Sequence, residues 1–257
     1  MVFIPASDNP LEDKDEPLRF NIADIFITGS ADNTIRTWCP EKGTPLKVLK
    51  GHKGPITCMI TCPQGVILYS GSSDRDIRSW DIKAGTCLKT MDLHDGPITC
   101  LIVVNRLMYS GSQDGRARCW VREFGDCTRC YKGHKHSITS INFMMAFVIY
   151  TGSGDTCIRA FDAKTGALKR ILMGHDAAVT NITIVGDKLY SSSFDGALRV
   201  WNIKSIKTDP DGEEEAEEME HQFQKKQVKS LEDLDHRLNG YIGNDVDMDS
   251  VPDNRGA

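Results

Sequence analysis

Aspartate, histidine and serine recur along this chain in a fixed order, and these three residue types together could form a catalytic triad. The first set contains His52, Ser70 and Asp74, and similar sets follow along the sequence. A hydrolase would need one set beside a nucleophile in a strained turn such as G-x-S-x-G, and the sequence has no such motif. Because the set recurs, we expect its members to be buried and to satisfy one another's hydrogen bonds. Catalysis by these residues is therefore not expected.

A second group of residues has the spacing of a metal site. Cys127 and Cys130 are followed closely by His134 and His136, and cysteine and histidine are the common ligands of structural zinc. However, residues three apart on a β-strand point to opposite faces, and His134 already belongs to one of the recurring sets. Glycine motifs for nucleotide binding are also missing. Neither a metal nor any other cofactor is expected.

The recurring residues lie in a repeat of about 40 residues. Five similar segments end in an aromatic residue, with spacings of 42, 40, 41 and 40: Trp38, Trp80, Trp120, Phe161 and Trp201. In each segment an aspartate lies six residues before the aromatic residue and an arginine lies two before it. A histidine follows each of the first four aromatic residues by 14 positions. So many fixed offsets indicate one structural unit used five times.

Each repeat has the pattern of β-structure. In residues 55–92, short apolar runs are separated by Pro63-Gln64-Gly65, by a Ser-Ser-Asp-Arg turn and by Lys83-Ala84-Gly85. This pattern predicts four antiparallel strands per repeat. One such sheet cannot bury its faces alone, but sheets arranged around an axis can. We therefore predict an all-β propeller of five four-stranded repeats over residues 17–204.

These features resemble the WD-repeat β-propeller family. The resemblance rests on the Gly-His pairs, on the S/T-G-S-x-D strand and turn, and on the Trp-Asp dipeptide, which only Trp80-Asp81 retains unmodified. It implies a hydrogen-bonded tetrad in each blade, made of a histidine, a serine or threonine, an aspartate and a tryptophan. The implied tetrads are His52, Ser70, Asp74 and Trp80; His94, Ser110, Asp114 and Trp120; His134, Thr151, Asp155 and Phe161; and His175, Ser191, Asp195 and Trp201.

Two repeats depart from the tetrad. The first has Thr28, Asp32 and Trp38 but no histidine. In the fourth, Phe161 has no N–H to donate. We therefore expect the fourth repeat to be the least sensitive to loss of its aspartate.

The sequence leaves the closure of the ring open. Residues 18–22 match a first strand, whereas the fifth repeat lacks an outer strand after Ile203. In relatives, one terminus commonly supplies the strand missing from the blade at the other terminus, and Val2-Phe3-Ile4 is the candidate here. Either a closed five-bladed ring results or, as we favour, an incomplete part of a larger ring whose edges are open.

Charge divides the 257 residues, whose net charge is −5, into three parts. Residues 1–16 are predicted to be a disordered acidic leader. Residues 205–257, with 15 acidic and 6 basic residues, are predicted to be an acidic tail that is partly helical and then disordered. No apolar run reaches the roughly 18 residues that cross a bilayer, so no membrane partner is expected.

The nine cysteines bear on the compartment. Their odd number and the lack of a secretory leader indicate reduced thiols in a cytoplasmic protein, with the nucleus as the alternative. The body of the chain is basic, but its repeat arginines are spread one per repeat without a series of aromatic residues. Nucleic acid is therefore not a favoured partner.

The resemblance implies a non-enzymatic scaffold for protein–protein interactions, with no small-molecule substrate. Family members commonly bind partners on the face that carries the Gly-His loops and the aspartate turns. The candidate positions are Thr57, Thr99, Thr139 and Thr180 in the loops and Ser73, Gln113 and Phe194 in the turns. An exposed Phe194 could anchor an interface; the alternative is that it packs against the next blade.

Two other functions compete with a plain scaffold. Residues 80–83, Trp-Asp-Ile-Lys, resemble the W-D-x-R/K motif, which implies a substrate receptor or adaptor of a ubiquitin ligase. An enzyme or a metal-binding protein is the least favoured class.

Overall fold

Nineteen β-strands, arranged in five antiparallel sheets, form the part of the chain that the structure describes. The structure is a computed structural model and describes residues 1–4, 25–144 and 147–204. No helix occurs in these three ranges. This architecture confirms the prediction of an all-β propeller fold with five repeated sheets. The predicted acidic tail lies outside the described residues, and so does the strand predicted over residues 18–22.

Each sheet is one blade, and its strands follow the order of the chain from the innermost strand to the outermost. Blade one consists of β1 Val2–Ile4, β2 Ile25–Gly29, β3 Ile35–Cys39 and β4 Thr44–Leu49. Blade two consists of β5 Ile56–Thr61, β6 Ile67–Ser72, β7 Ile77–Asp81 and β8 Thr86–Met91. Blade three consists of β9 Ile98–Val104, β10 Leu107–Ser112, β11 Ala117–Val121 and β12 Asp126–Tyr131. Blade four consists of β13 Ile138–Met144, β14 Val148–Ser153, β15 Ile158–Asp162 and β16 Leu168–Leu172. Blade five consists of β17 Val179–Val185, β18 Lys188–Ser193 and β19 Leu198–Asn202.

The aspartate turn connects the second and third strands of every blade. In blade two, Asp74 Oδ1 accepts a hydrogen bond from the backbone N–H of Asp76 at 3.0 Å, which closes the turn. The residue after the aspartate has a positive φ in every blade. Glycine adopts this conformation freely and occupies it in blades three and five, whereas Thr156 adopts it in blade four with a φ of 71°.

The core lies between successive blades. Trp80 and Leu68 of blade two pack against Ile27, Ile35 and Leu49 of blade one, and all five are almost fully buried. Similar apolar clusters join blades two and three, three and four, and four and five. Burying one such side chain contributes about 1.5–3 kcal/mol, so each blade depends on its neighbours for stability.

Among the described residues, blade five has no such neighbour beyond it. Leu198 is 68% exposed, whereas the corresponding Ile35, Ile77 and Ile158 are 0% exposed. Val200 is 52% exposed as well. None of the core clusters of the described residues joins blade five to blade one. The described blades therefore form an open arc, with one apolar face free.

Blade five has three strands in the described residues and lacks an outer strand, as the sequence predicted. One prediction about strands needs correction. Val2–Ile4 does not supply a strand to blade five; it pairs antiparallel with β2, with Val2 opposite Ile27, and forms the innermost strand of blade one. The reason is packing, since Val2 covers the apolar cluster between blades one and two. The first residues of the predicted disordered leader therefore belong to a sheet.

Candidate functional site

The predicted tetrad residues of blade two come together at the end of the blade that carries the aspartate turn. Ser70 lies on β6 and Trp80 on β7, while His52 and Asp74 lie in the loops that precede β5 and β7. Trp80 Nε1 donates to Ser70 Oγ at 2.8 Å, Ser70 Oγ lies 2.8 Å from His52 Nε2, and His52 Nδ1 lies 2.8 Å from Asp74 Oδ2. Asp74 Oδ2 also accepts from the backbone N–H of Lys53 at 2.7 Å. The four side chains thus form one chain of hydrogen bonds.

The direction of these hydrogen bonds follows from the two ends of the chain. An indole N–H can only donate and an ionised carboxylate can only accept. Ser70 therefore accepts from Trp80 and donates to His52 Nε2, which leaves the proton of His52 on Nδ1, directed at Asp74. Burial lowers the pKa of His52, in spite of the hydrogen bond and charge of Asp74, which act to raise it. A neutral imidazole with its proton on Nδ1 satisfies every polar group of the tetrad.

Blades three and five repeat this arrangement. Trp120 and Trp201 each donate to a serine hydroxyl at 2.8 Å. The distances from histidine Nδ1 to aspartate are 2.7 Å for His94–Asp114 and 2.8 Å for His175–Asp195; the serines are Ser110 and Ser191. Burial acts to raise the pKa of Asp114, but the hydrogen bond and charge of His94 outweigh it and lower this pKa to about 2.

In blade four an arginine contacts the tetrad aspartate and histidine, and phenylalanine replaces the tryptophan. Phe161 fills the place of the tryptophan, and the side chain of Arg159 is fully buried. Arg159 Nη1 lies 2.7 Å from Asp155 Oδ2 and 2.7 Å from His134 Nδ1. His134 Nδ1 also lies 3.0 Å from Asp155 Oδ2, and His134 Nε2 lies 2.7 Å from Thr151 Oγ1.

Among the blades with a tetrad histidine, blade four is the one in which the repeat arginine contacts both the aspartate and the histidine in the described residues. In blade two, Arg78 lies 3.6 Å from Asp76 and stays partly exposed. The residue that corresponds to Asp76 in blade four is Cys157, which is fully buried and has no charge to offer. Blade one, which lacks the tetrad histidine, shows the same tendency: Arg36 reaches its turn aspartate, Asp32, at 3.1 Å.

This geometry favours a ranking of the aspartates opposite to the one expected from the sequence. Asp155 is fully buried and holds both His134 and Arg159, and two backbone N–H groups, those of Lys135 and Cys157, donate to it at 3.2 Å. Burial raises the pKa of Asp155, but its bond with His134 and the charge of Arg159 more than compensate and hold it far below its ordinary value. We therefore expect the fourth repeat to depend on its aspartate more than the others do.

The tetrads offer no open side chain for chemistry. The side chains of all four tetrad histidines are almost fully buried, and each ring nitrogen is already hydrogen-bonded. His134 belongs to the tetrad of blade four, and Cys127 and Cys130 lie on β12 of blade three. In the part of the chain that the structure describes, no group of three histidine, cysteine or acidic residues could hold a metal ion. The tetrads hold loops in place.

The loops they hold are tied together by the backbone. In each of blades two to five, the residue before the turn aspartate donates its N–H to the carbonyl three residues after the tetrad histidine. These bonds are Ser73–Pro55, Gln113–Pro97 and Gly154–Ser137 at 2.9 Å and Phe194–Ala178 at 3.0 Å. The Gly-His loops and the aspartate turns thus form one fixed surface, here called the loop face.

The hydroxyls of the four threonines predicted on this face form hydrogen bonds within the protein. Thr57, Thr99 and Thr139 each donate from Oγ1, at 2.6 Å, to a backbone carbonyl in the innermost strand of the next blade. The described residues place no further blade beside Thr180, and its hydroxyl lies 2.8 Å from Ser192 Oγ in its own blade. These hydroxyls join blades together, so they are not available as donors for a partner.

Phe194 is the prominent apolar residue of the loop face. It is 79% exposed and belongs to none of the apolar clusters of the described blades. Gln113 holds the same position in blade three and is exposed although blade four follows it. This position therefore points away from the next blade, and Phe194 is presented to solvent. Ser73, at the same position in blade two, is half-buried.

Comparisons with known proteins match repeated stretches of the chain. One stretch of 74 residues is 36% identical to the nuclear distribution protein PAC1 of Tuber melanosporum and covers 27% of this chain and 16% of that protein. Another, of 88 residues, is 27% identical to mitochondrial division protein 1 of Neurospora crassa and covers 34% and 14%. The matched stretches span less than a fifth of the length of these relatives.

A solved structure shows the same architecture. The crystal structure of the computationally designed Ika8 protein superposes with a TM-score of 0.65 and 31% identity, over 70% of this chain and 55% of that one. Among the described residues, no helix has the length and apolar character to cross a membrane.

The family comparison agrees with the blades. The model of the WD domain, G-beta repeat family matches residues 43–81, 85–121, 125–162 and 166–202, which together make up more than half of the chain. The first matched unit begins at β4, so the predicted first repeat is not matched as a unit of its own. With these matched units, the tetrads of blades two to five and the order of the strands, the chain belongs to the WD-repeat family.

Proposed function

We propose that this protein is a non-enzymatic scaffold that binds protein partners through its loop face, with Phe194 as the anchor. WD-repeat proteins generally act as scaffolds for protein interactions, and the exposure of Phe194 is the observation that carries the proposal. A large aromatic side chain in contact with water stabilises a complex when a partner buries it. The backbone bond to Ala178 fixes this residue before binding, which lowers the entropic cost of association.

The tetrads support the non-enzymatic part of the proposal. Catalysis by an Asp–His–Ser set requires a serine that can reach a substrate. Ser70, Ser110 and Ser191 are at most 1% exposed, and each hydroxyl is bonded to both a histidine and a tryptophan.

The nine free thiols support the proposal of a reducing compartment, which is the cytoplasm or the nucleus.

The adaptor alternative has less support from the geometry. Trp80 is buried in the core, and Asp81 Oδ1 accepts from the backbone N–H of Ala84 at 2.7 Å, so both serve the blade itself. Within the family, residues 104–112, 151–168 and 195–204 resemble WD repeat-containing protein 86, and we propose kinship on these segments.

Two matched variants test the anchor. Phe194→Ala removes an exposed phenylalanine from the loop face, and Phe124→Ala removes one that is 63% exposed from a turn at the opposite end of blade three. We expect affinity purification with mass spectrometry to show proteins that the wild type and Phe124→Ala retain and that Phe194→Ala loses. Both variants should keep the melting temperature of the wild type.

Two results would contradict the proposal. Equal retention by both variants would show that another surface binds, and a large fall in the melting temperature of Phe194→Ala would show that this residue is packed. Ligase subunits among the retained proteins would favour the adaptor alternative.

A further inference from the structure

Blade three lacks an apolar residue that blades two, four and five use to fill the space between blades. The second residue after the aromatic residue of the third strand, here called the plug position, is Ile82 in blade two, Ala163 in blade four and Ile203 in blade five. All three are nearly fully buried against the preceding blade. In blade three the plug position holds Arg122, which belongs to none of the apolar clusters. The interface between blades two and three is therefore not filled in the same way.

A cavity of about 280 Å³ lies at this point. Its apolar lining includes Val66 and Ile67 of blade two, and Val66 is half exposed. Its polar lining includes Tyr69, Arg106, Arg122 and Glu123. The aspartate turns connect the second and third strands of each blade, whereas the lining residues lie near turns at the other end of those strands. The cavity is thus at the end of the blades opposite the aspartate turns. The cavity is therefore separate from the loop face.

The two arginines are held together at the cavity by the backbone. The N–H of Arg122 donates to the carbonyl of Arg106 at 3.1 Å, which brings the two positively charged residues to the same opening. Glu123 is the one carboxylate among the described lining residues, so the lining carries a net positive charge. Burial raises the pKa of Tyr69, while the positive charge of Arg122 acts in the opposite direction, as expected if the guanidinium faces this hydroxyl.

Arg122 also has a buried donor to offer. Its Nε is buried and has no hydrogen-bond acceptor among the described residues. The repeat arginines Arg78, Arg118 and Arg199 share this feature, but none of them lines the cavity. A buried N–H without an acceptor is unfavourable, and a carboxylate is the acceptor that a guanidinium binds best.

We propose that this cavity binds a segment of a protein partner in which an acidic residue lies next to an aliphatic one. The carboxylate would accept from Arg122 and Arg106, and the aliphatic side chain would cover Val66 and Ile67. The cavity volume is slightly below the range of roughly 300–1,000 Å³ that is typical of sites for drug-sized ligands. A cavity of this size suits one or two side chains. This site goes beyond the proposed function, since it is at the opposite end of the blades from Phe194.

The test uses short peptides and the full chain. The N-acetyl, N-methylamide forms of Leu-Glu and Leu-Gln differ only in the charge of one side chain, and N-acetyl-leucine carries its carboxylate at the end of the chain. Binding is followed by NMR through the Nε–H signal of Arg122 and the ring signals of Tyr69. We expect Leu-Glu to shift both signals and to bind at least about tenfold more tightly than Leu-Gln, which is the effect of one charge-assisted hydrogen bond.

Variants of the protein complete the test. Arg122→Ile restores the plug residue of blades two and five, so it should fold and should abolish the shifts of the Tyr69 signals, as should Arg122→Gln. The control Arg116→Ile removes an arginine from the other end of blade three, where it contacts Asp95, and should leave binding unchanged. Phe194→Ala should also leave it unchanged, which separates this site from the loop face.

Three results would overturn the proposal. The first is equal binding of Leu-Glu and Leu-Gln. The second is binding that survives Arg122→Ile. The third is binding of N-acetyl-leucine alone, which would assign the cavity to a chain terminus instead of an internal acidic residue.

Discussion

Asp155→Ala should destabilise this protein more than the equivalent change in any other tetrad. The substitution removes one partner of a fully buried ion pair, because the side chains of Asp155 and Arg159 are both 0% exposed. Losing one partner of such a pair costs about 3–5 kcal/mol. Asp114→Ala, in contrast, removes an acceptor from His94 and from backbone N–H groups, which costs roughly 1–3 kcal/mol.

The difference between the two variants is large enough to measure. It amounts to about 2 kcal/mol, and for a domain of 150–250 residues each kcal/mol changes the melting temperature by about 2–4 °C. Asp155→Ala should therefore melt about 4–8 °C below Asp114→Ala. Urea denaturation of both variants, with the midpoint and the slope compared, gives an independent value of the free energy of unfolding.

A double-mutant cycle identifies the cause. If the buried guanidinium is responsible, adding Arg159→Met to Asp155→Ala should recover much of the lost stability, because both charges are then gone. The physical reasoning would be refuted if Asp114→Ala were the more damaging change, or if Arg159→Met made Asp155→Ala still less stable.

Three further predictions concern pH, backbone strain and the free face of blade five. Burial lowers the pKa of His52, and the tetrad lowers that of Asp114 to about 2, so below the ordinary pKa of each group the folded state binds fewer protons than the unfolded state. The free energy of unfolding should therefore be greatest above about pH 6.5, fall first below that pH and fall again below about pH 4. Urea midpoints measured against pH test this, and a flat profile would contradict it. Thr156→Gly should raise the free energy of unfolding by about 1 kcal/mol, because glycine adopts a φ of 71° without strain; a loss of stability in the melt would argue against strain there. Leu198→Glu, on the exposed face of blade five, should reduce self-association measured by light scattering. Leu88→Glu, at an exposed position on an outer strand, should leave self-association unchanged. A wild type that stays monomeric at high concentration would exclude association through the exposed face of blade five.

The repeat made much of the fold predictable. A fixed offset between histidine, aspartate and tryptophan is visible in the sequence because every blade needs the same hydrogen bonds. With these offsets aligned, the resemblance to the WD-repeat family implied the tetrads residue by residue. Arg159 could not be predicted in the same way, because every repeat has an arginine at its position. It contacts the aspartate and the histidine in the blade where phenylalanine replaces tryptophan, and the sequence does not show how the arginine responds to that replacement in space.

Short apolar segments were harder to place. Val2–Ile4 could have paired with either end of the ring, since three apolar residues carry no information about register. The threonines of the loop face show a similar limit. A small polar residue at a regular position fits a binding surface as well as a blade contact, and only the position of a carbonyl about 40 residues later separates the two.

Thr180 and the free side of blade five have a consequence for how the molecule opens. In a closed ring every blade has two neighbours, whereas the described blades form a row with two ends, and a row of nearest-neighbour units frays from its ends. Blade three, in the middle, should open only when a terminal blade has already opened, so its amide hydrogens should exchange most slowly. A ligand that covers the side of blade five would then protect amides several blades away that it never touches. The row would transmit binding as a change in cooperativity, without any change in shape.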